Sequence, residues 1–172
     1  MHELHKILVR LNGHSPITAD TREELIESVR AYAEEATESF YGEVFDWRET
    51  STAGRWESEY PVNVIFSKDD FGGFIEELDK CAEYQKNFMQ FLLGKICSVS
   101  SDIRELVEIG EDLPYLTSYY LHCLAELLYG EYTCNSGFYD TERGSSDITR
   151  AVVESVTASP DDWALVMFDC HI

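Results

Sequence analysis

Carboxylates are the most abundant groups in this chain that could do chemistry, since 33 of its 172 residues are Asp or Glu. Close pairs stand at Glu43/Asp46, Glu57/Glu59, Asp69/Asp70, Asp140/Glu142 and Asp161/Asp162. Such pairs can assemble a hydrolase or a two-metal nuclease. At this density they also arise by chance, so spacing alone assigns no reaction. His122-Cys123, Cys134 and Cys170-His171 are the candidate metal ligands. Neighbouring side chains on a helix or strand point in different directions, and the Cys-x2–4-Cys spacing of zinc sites is absent. Ser136-Gly137 and Cys134 form a turn without the residues of a nucleophile elbow. Gly72-Gly73 lacks the Gly-Lys-Ser/Thr that completes a phosphate loop. The expectation is therefore a protein that is not an enzyme and needs no cofactor or metal. A small metal-dependent hydrolase, using clustered carboxylates with His122 or His171, is the alternative.

Recognition chemistry is concentrated in Tyr41–Pro61, YGEVFDWRETSTAGRWESEYP, which holds two of the three tryptophans. Asp46-Trp47-Arg48 and Arg55-Trp56-Glu57, with Glu59 close behind, combine the residue types enriched at binding hot spots. The plainer reading is a rigid sheet surface, in which arginine stacks on tryptophan and pairs with a carboxylate. A third possibility is an oligomeric scaffold, or homodimer, with Trp47 and Trp56 in a self-interface.

The 33 acids face only 13 Lys and Arg, a formal charge of −20. Disorder is excluded by nine Phe, ten Tyr and three Trp. Charge of this size repels nucleic acid and anionic membrane, and it steers association toward basic surfaces. Direct nucleic-acid binding is further excluded because no Lys/Arg cluster exists. Five cysteines without regular spacing, no leader-like start and no apolar run long enough to span a bilayer predict a reduced, cytoplasmic protein.

These groups must be positioned by a fold that reads as α+β. Residues 6–11 form a strand closed by Asn12-Gly13. Thr21 with Glu24 fits a capping box, and Leu25, Ile26, Val29, Ala33, Ala36 and Phe40 give one helical apolar face. Glu23, Glu27, Glu34, Glu35 and Glu38 lie off that face, answered only by Arg22 and Arg30. Residues 43–66 read as an antiparallel meander, with strands at 43–48 and 55–66, a turn at 51–54, and Trp47 facing Trp56 across it. Three helices follow over 69–130, a possible helical subdomain of the single domain 1–172. Ser67 or Asp69 caps the first of them. Gly110 stops the second, which turns Ile103, Leu106 and Val107 inward. The third carries an inward face from Leu116 to Leu128. Residues 131–139 read as a strand or hairpin, Asp147 caps a short helix, and 164–168 form a buried last strand. The expected architecture is a small, mainly antiparallel sheet packed against the 21–40 helix and the three-helix segment.

Two segments, FDWRETSTAGRWESEYP and FYDTERGSSDITRAVVESVTASPDDWALVMFDCHI, resemble segments of small uncharacterised proteins of phages and mobile elements. The resemblance covers about a third of the chain and brings no catalytic or binding residues with it. It implies a context in which compact, very acidic proteins inhibit host defence, as anti-CRISPR and anti-restriction DNA mimics do. The partner expected on these grounds is the basic surface of a nucleic-acid-binding complex. The residues expected to meet it are Glu23, Glu27, Glu34, Glu35 and Glu38, with Asp46, Trp47, Arg48, Arg55, Trp56, Glu57 and Glu59.

Overall fold

Two nine-residue strands from opposite ends of the chain pair along their whole length and form the centre of the molecule. In the computed structural model, which describes residues 1–13, 15–109, 112 and 114–172, β1 (His2–Arg10) runs antiparallel to β5 (Trp163–His171). β5 is buried from Trp163 to Cys170, as its continuous apolar run requires. Its free edge is shared by two three-residue strands, β2 (Trp47–Glu49) and β3 (Val64–Phe66), both antiparallel to it. β4 (Phe138–Asp140) pairs with the outer edge of β1 and is parallel to it. The sheet is thus mixed but mainly antiparallel, and the fold is α+β.

Side chains alternate across this sheet and build two cores. On one face Ile7, Val9, Val64, Phe66, Val166 and Phe168 meet α1 (Arg22–Ala36) through Val29 and Ala33. The Thr21–Glu24 capping box forms as expected and fixes the start of α1. On the other face Leu8, Leu165 and Met167 meet α2 (Phe71–Cys97) through Phe74, Leu78 and Cys81, and α5 (Arg150–Ala158) through Val152 and Val156. Each fully buried Leu or Phe here contributes about 1.5–3 kcal/mol.

With 27 residues, α2 is about 40 Å long and overruns the sheet. Its second half, with α3 (Ile103–Ile109) and α4 (Tyr115–Tyr129), makes a helical arm with its own small core of Leu92, Cys123 and Leu127. Gly130 ends α4 in the left-handed conformation, φ 72°, where glycine carries no Cβ penalty.

Several expectations fail, the larger ones for a tertiary reason. The meander at 43–66 does not form: residues 43–46 are turn and bridge, and Gly54–Trp56 is a 3-10 turn. β2 and β3 pair with β5 instead of with each other, because β5 offers a longer apolar edge. Trp47 and Trp56 are therefore not cross-strand neighbours. The cap of α2 is Asp70, whose side chain accepts from Gly73 N–H, and the helix expected after Asp147 starts behind Thr149. Ile103 and Val107 point outward and only Leu106 is buried, while Leu116, Tyr119 and Leu128 are exposed on α4. The expected stop at Gly110 lies outside the described residues.

Candidate functional site

The acidic face of α1 follows from its periodicity. Glu23, Glu27 and Glu34 fall within about 40° of one another on the helix, about 120° round from the buried Val29–Ala33 side. Glu38, one turn on, extends the row, whereas Glu35 lies about 100° round from Glu34 and lines a separate cleft with Ser15 and Tyr32. The row borders the Tyr41–Pro61 stretch. A cleft of about 260 Å³ runs between Glu23, Glu27 and Arg30 of α1 and Ser51, Pro61 and Asn63.

What gives this face its sign is the direction taken by its cations. Arg48 leaves β2 toward α1 and donates to the Thr37 hydroxyl (2.7 Å), the Glu34 carbonyl (2.9 Å) and the Glu38 carboxylate (2.7 Å). Its guanidinium lies over Phe45 and Phe168, and its side chain is only 5% exposed. Arg30 donates twice to the buried Asn63 Oδ1, at 3.1 and 2.9 Å, and the Asn63 amide is tied to the Thr50 and Met167 carbonyls. Both arginines are drawn inward, while Glu23, Glu27, Glu38, Glu43 and Asp46 remain in solvent. Arg48 therefore positions the face and does not offer a partner its charge. It stacks on Phe45 and Phe168, where the sequence pointed to tryptophan.

The other recognition residues divide between two places. Trp47 sits half-exposed at the sheet edge, its ring 5.9 Å from that of His2. Trp56 turns toward the sheet and α2, lining a cleft of about 210 Å³ with Lys6, Cys81 and Tyr84. Arg55, Glu57 and Glu59 are exposed.

A cluster the sequence did not announce stands beside Trp47. His2 and His171 are directly paired across β1 and β5, with ring centres 5.0 Å apart. His2 Nδ1 meets Asp169 at 2.8 Å, and His171 Nδ1 meets Asp46 at 2.6 Å. Asp169 also accepts from the Arg55 backbone N–H at 3.0 Å. A lone Asp in the apolar run ALVMFDC was the one local signal of this cluster, because a buried carboxylate demands donors. The arrangement is two imidazoles, each oriented by a carboxylate at its Nδ1. His122 pairs with Glu126 on α4 instead, and Cys170 is buried against α1 on the opposite face from His171. Among the described residues, no group of three or more His, Cys, Asp and Glu could hold a metal ion.

Gly54 is what allows the Tyr41–Pro61 stretch to close onto Asp169. Its φ is +54°, and a Cβ there would stand 2.3 Å from Asp169 Oδ2 and 2.5 Å from Asp169 Cβ. Gly54→Ala is expected to cost about 2 kcal/mol from strain and displacement of Asp169. Thermal unfolding would register this as a loss of about 4–8 °C, and an unchanged midpoint would show that the turn docks independently of Asp169.

No family model, curated protein or solved structure matches this chain.

Proposed function

We propose that this protein is a non-enzymatic inhibitor that binds the basic, nucleic-acid-binding surface of another protein complex. The target class is a host-defence nuclease, in the context implied by the resemblance of two segments to phage and mobile-element proteins. One observation carries the reading: along α1 and the neighbouring sheet edge the carboxylates face solvent while Arg30 and Arg48 are turned inward. A merely solubilising surface gains by mixing signs, since i,i+4 pairs stabilise a helix. Glu23, Glu27 and Glu43 keep their carboxylates open to solvent, placed to stand in for phosphates opposite Lys and Arg, while Glu38 shares its carboxylate with Arg48 and Asp46 with His171. Glu23, Glu27, Glu34 and Glu38, continued by Asp46, form the stripe, and Trp47 supplies an exposed aromatic anchor beside it. Among the described residues no helix is long and apolar enough to cross a membrane.

The test is affinity capture from a host lysate at low salt, followed by stepwise salt elution. A single nucleic-acid-binding complex should be recovered and released both by salt and by competing DNA. With the captured target in hand, Glu23→Lys/Glu27→Lys/Glu34→Lys should weaken binding about tenfold and flatten its salt dependence. Affinity that ignores both salt and these substitutions would defeat the proposal.

A further inference from the structure

The helical arm leaves a broad apolar face open on the side of α4 away from α2. Tyr115, Tyr119 and Tyr129 are 83%, 45% and 84% exposed. At 150–250 Å² per aromatic side chain these three rings leave about 400 Å² uncovered. Leu116 and Leu128, each more than half exposed, stand about 100° and 220° round the helix from Tyr115 and so outside this strip. At roughly 400 Å² the strip is the size of the largest apolar patch on a monomer and suits a weak interface, below the ~800 Å² that one partner covers in a stable complex.

The pattern along this face is self-complementary. Tyr115, Tyr119, His122, Glu126 and Tyr129 recur at alternating four- and three-residue steps, the seam by which helices pair. Laying two copies antiparallel about a two-fold axis near Leu124 sets Tyr119 against Tyr129 of the second copy. The same operation sets His122 against Glu126 of the second copy, and by symmetry each contact occurs twice. His122 Nε2 and Glu126 Oε1 already meet at 3.0 Å within one helix, so the same two groups of the two copies can interleave.

Electrostatics also favours a second copy here. Two chains of charge −20 repel wherever their carboxylates are dense. α4 carries a single carboxylate, Glu126, in its 15 residues, which makes it the helix on which two copies can approach. A basic partner would be drawn to α1 instead.

We infer that α4 is a homodimer interface, formed by antiparallel pairing of the Tyr119–His122–Glu126–Tyr129 seam with itself. α1 packs on the opposite face of the sheet from α2, which carries the arm. The dimer therefore leaves both acidic stripes open.

Sedimentation of the full chain from about 1 to 100 µM tests this, with a dimer dissociation constant of about 10 µM expected. Tyr119→Glu/Tyr129→Glu replaces two exposed rings, so its thermal unfolding midpoint should stay near wild type while dissociation rises at least tenfold. His122→Glu should weaken the dimer by opposing Glu126 of the second copy, and adding Glu126→Lys should restore it. The α1 charge-reversal variant should remain a dimer, which separates this inference from the proposed function. A chain that is monomeric throughout overturns it, as does a dimer indifferent to the tyrosine substitutions. A dimer that Trp47→Ala dissolves while the tyrosine pair does not would move the interface to the sheet edge and equally overturn it.

Discussion

Glu77→Ala is expected to destabilise the protein by about 3–5 kcal/mol, the cost of leaving a buried charge without its partner. Glu77 lies on α2 and is buried against the sheet, where it accepts from Lys6 Nζ at 2.5 Å, Lys80 Nζ at 2.6 Å and Tyr60 O–H at 2.8 Å. Lys6, on β1, is itself buried, and its ammonium also lies over the Tyr60 ring. Burial by itself would raise the Glu77 carboxyl, but the hydrogen bonds from Lys6, Lys80 and Tyr60 hold it down at about 2. Removing the carboxylate strands the Lys6 ammonium and leaves the Tyr60 hydroxyl without its acceptor. Removing both charges, as in Lys6→Met/Glu77→Leu, should cost much less, because packing replaces desolvated ions. Denaturant unfolding of the two variants checks this. If the double variant is as unstable as the single one, the network stabilises by shape and not by charge compensation.

Acidification should destabilise the fold through His5 before it reaches Glu77. His5 is fully buried on β1, with Nδ1 2.6 Å from the Tyr132 hydroxyl. Among the described residues its Nε2 has no partner in hydrogen-bonding geometry. Burial pushes the imidazole down from 6.5 to about 4, and the Cys134 backbone offsets this only in part. The folded state thus demands a neutral ring, while the unfolded chain takes up a proton below about pH 6.5. Stability from this residue is complete above pH 6.5 and declines as pH falls toward 4, by about 3 kcal/mol in all. Glu77 adds a second loss, which begins below its ordinary value of 4.5 and is complete once pH has fallen through about 2. Protonation of the surface carboxylates relieves self-repulsion and opposes both effects, so the informative quantity is the difference between wild type and His5→Gln. Denaturant unfolding at pH 7.5, 5.5 and 4.5 should show a steeper loss in wild type. Equal slopes would mean that His5 is not the residue responsible.

The parts of the fold legible in the sequence are those decided by near neighbours. The Thr21–Glu24 box, the α1 periodicity and the apolar run of β5 need only adjacent residues to be read, and all three stand as expected. The acidic stripe was legible for the same reason, since a helix of known start fixes which glutamates share a side. The Tyr41–Pro61 stretch misled because its alternation resembles a hairpin, while β2 and β3 are each only three residues long and dock on a strand about a hundred residues away. α4 misled differently. Apolar residues surround it, so periodicity could not show that α2 covers Cys123 and Leu127 and leaves Tyr115, Tyr119 and Leu128 outside.

By itself the sequence determined a folded α+β chain of charge −20, the Thr21–Glu24 cap and periodicity of α1, and the glutamates along that helix. Propensity, capping and amphipathic period act over a few residues and are worth several tenths to about 2 kcal/mol each. Only the tertiary structure decided that β1 closes on β5, that Arg30 and Arg48 turn inward, and that Lys6, Tyr60 and Glu77 share a buried network. The pairing of His2 with His171 was decided there too. These contacts join residues far apart in the chain, and they form because two apolar sheet faces must be covered at once. Burial then dictates which polar groups have to find each other.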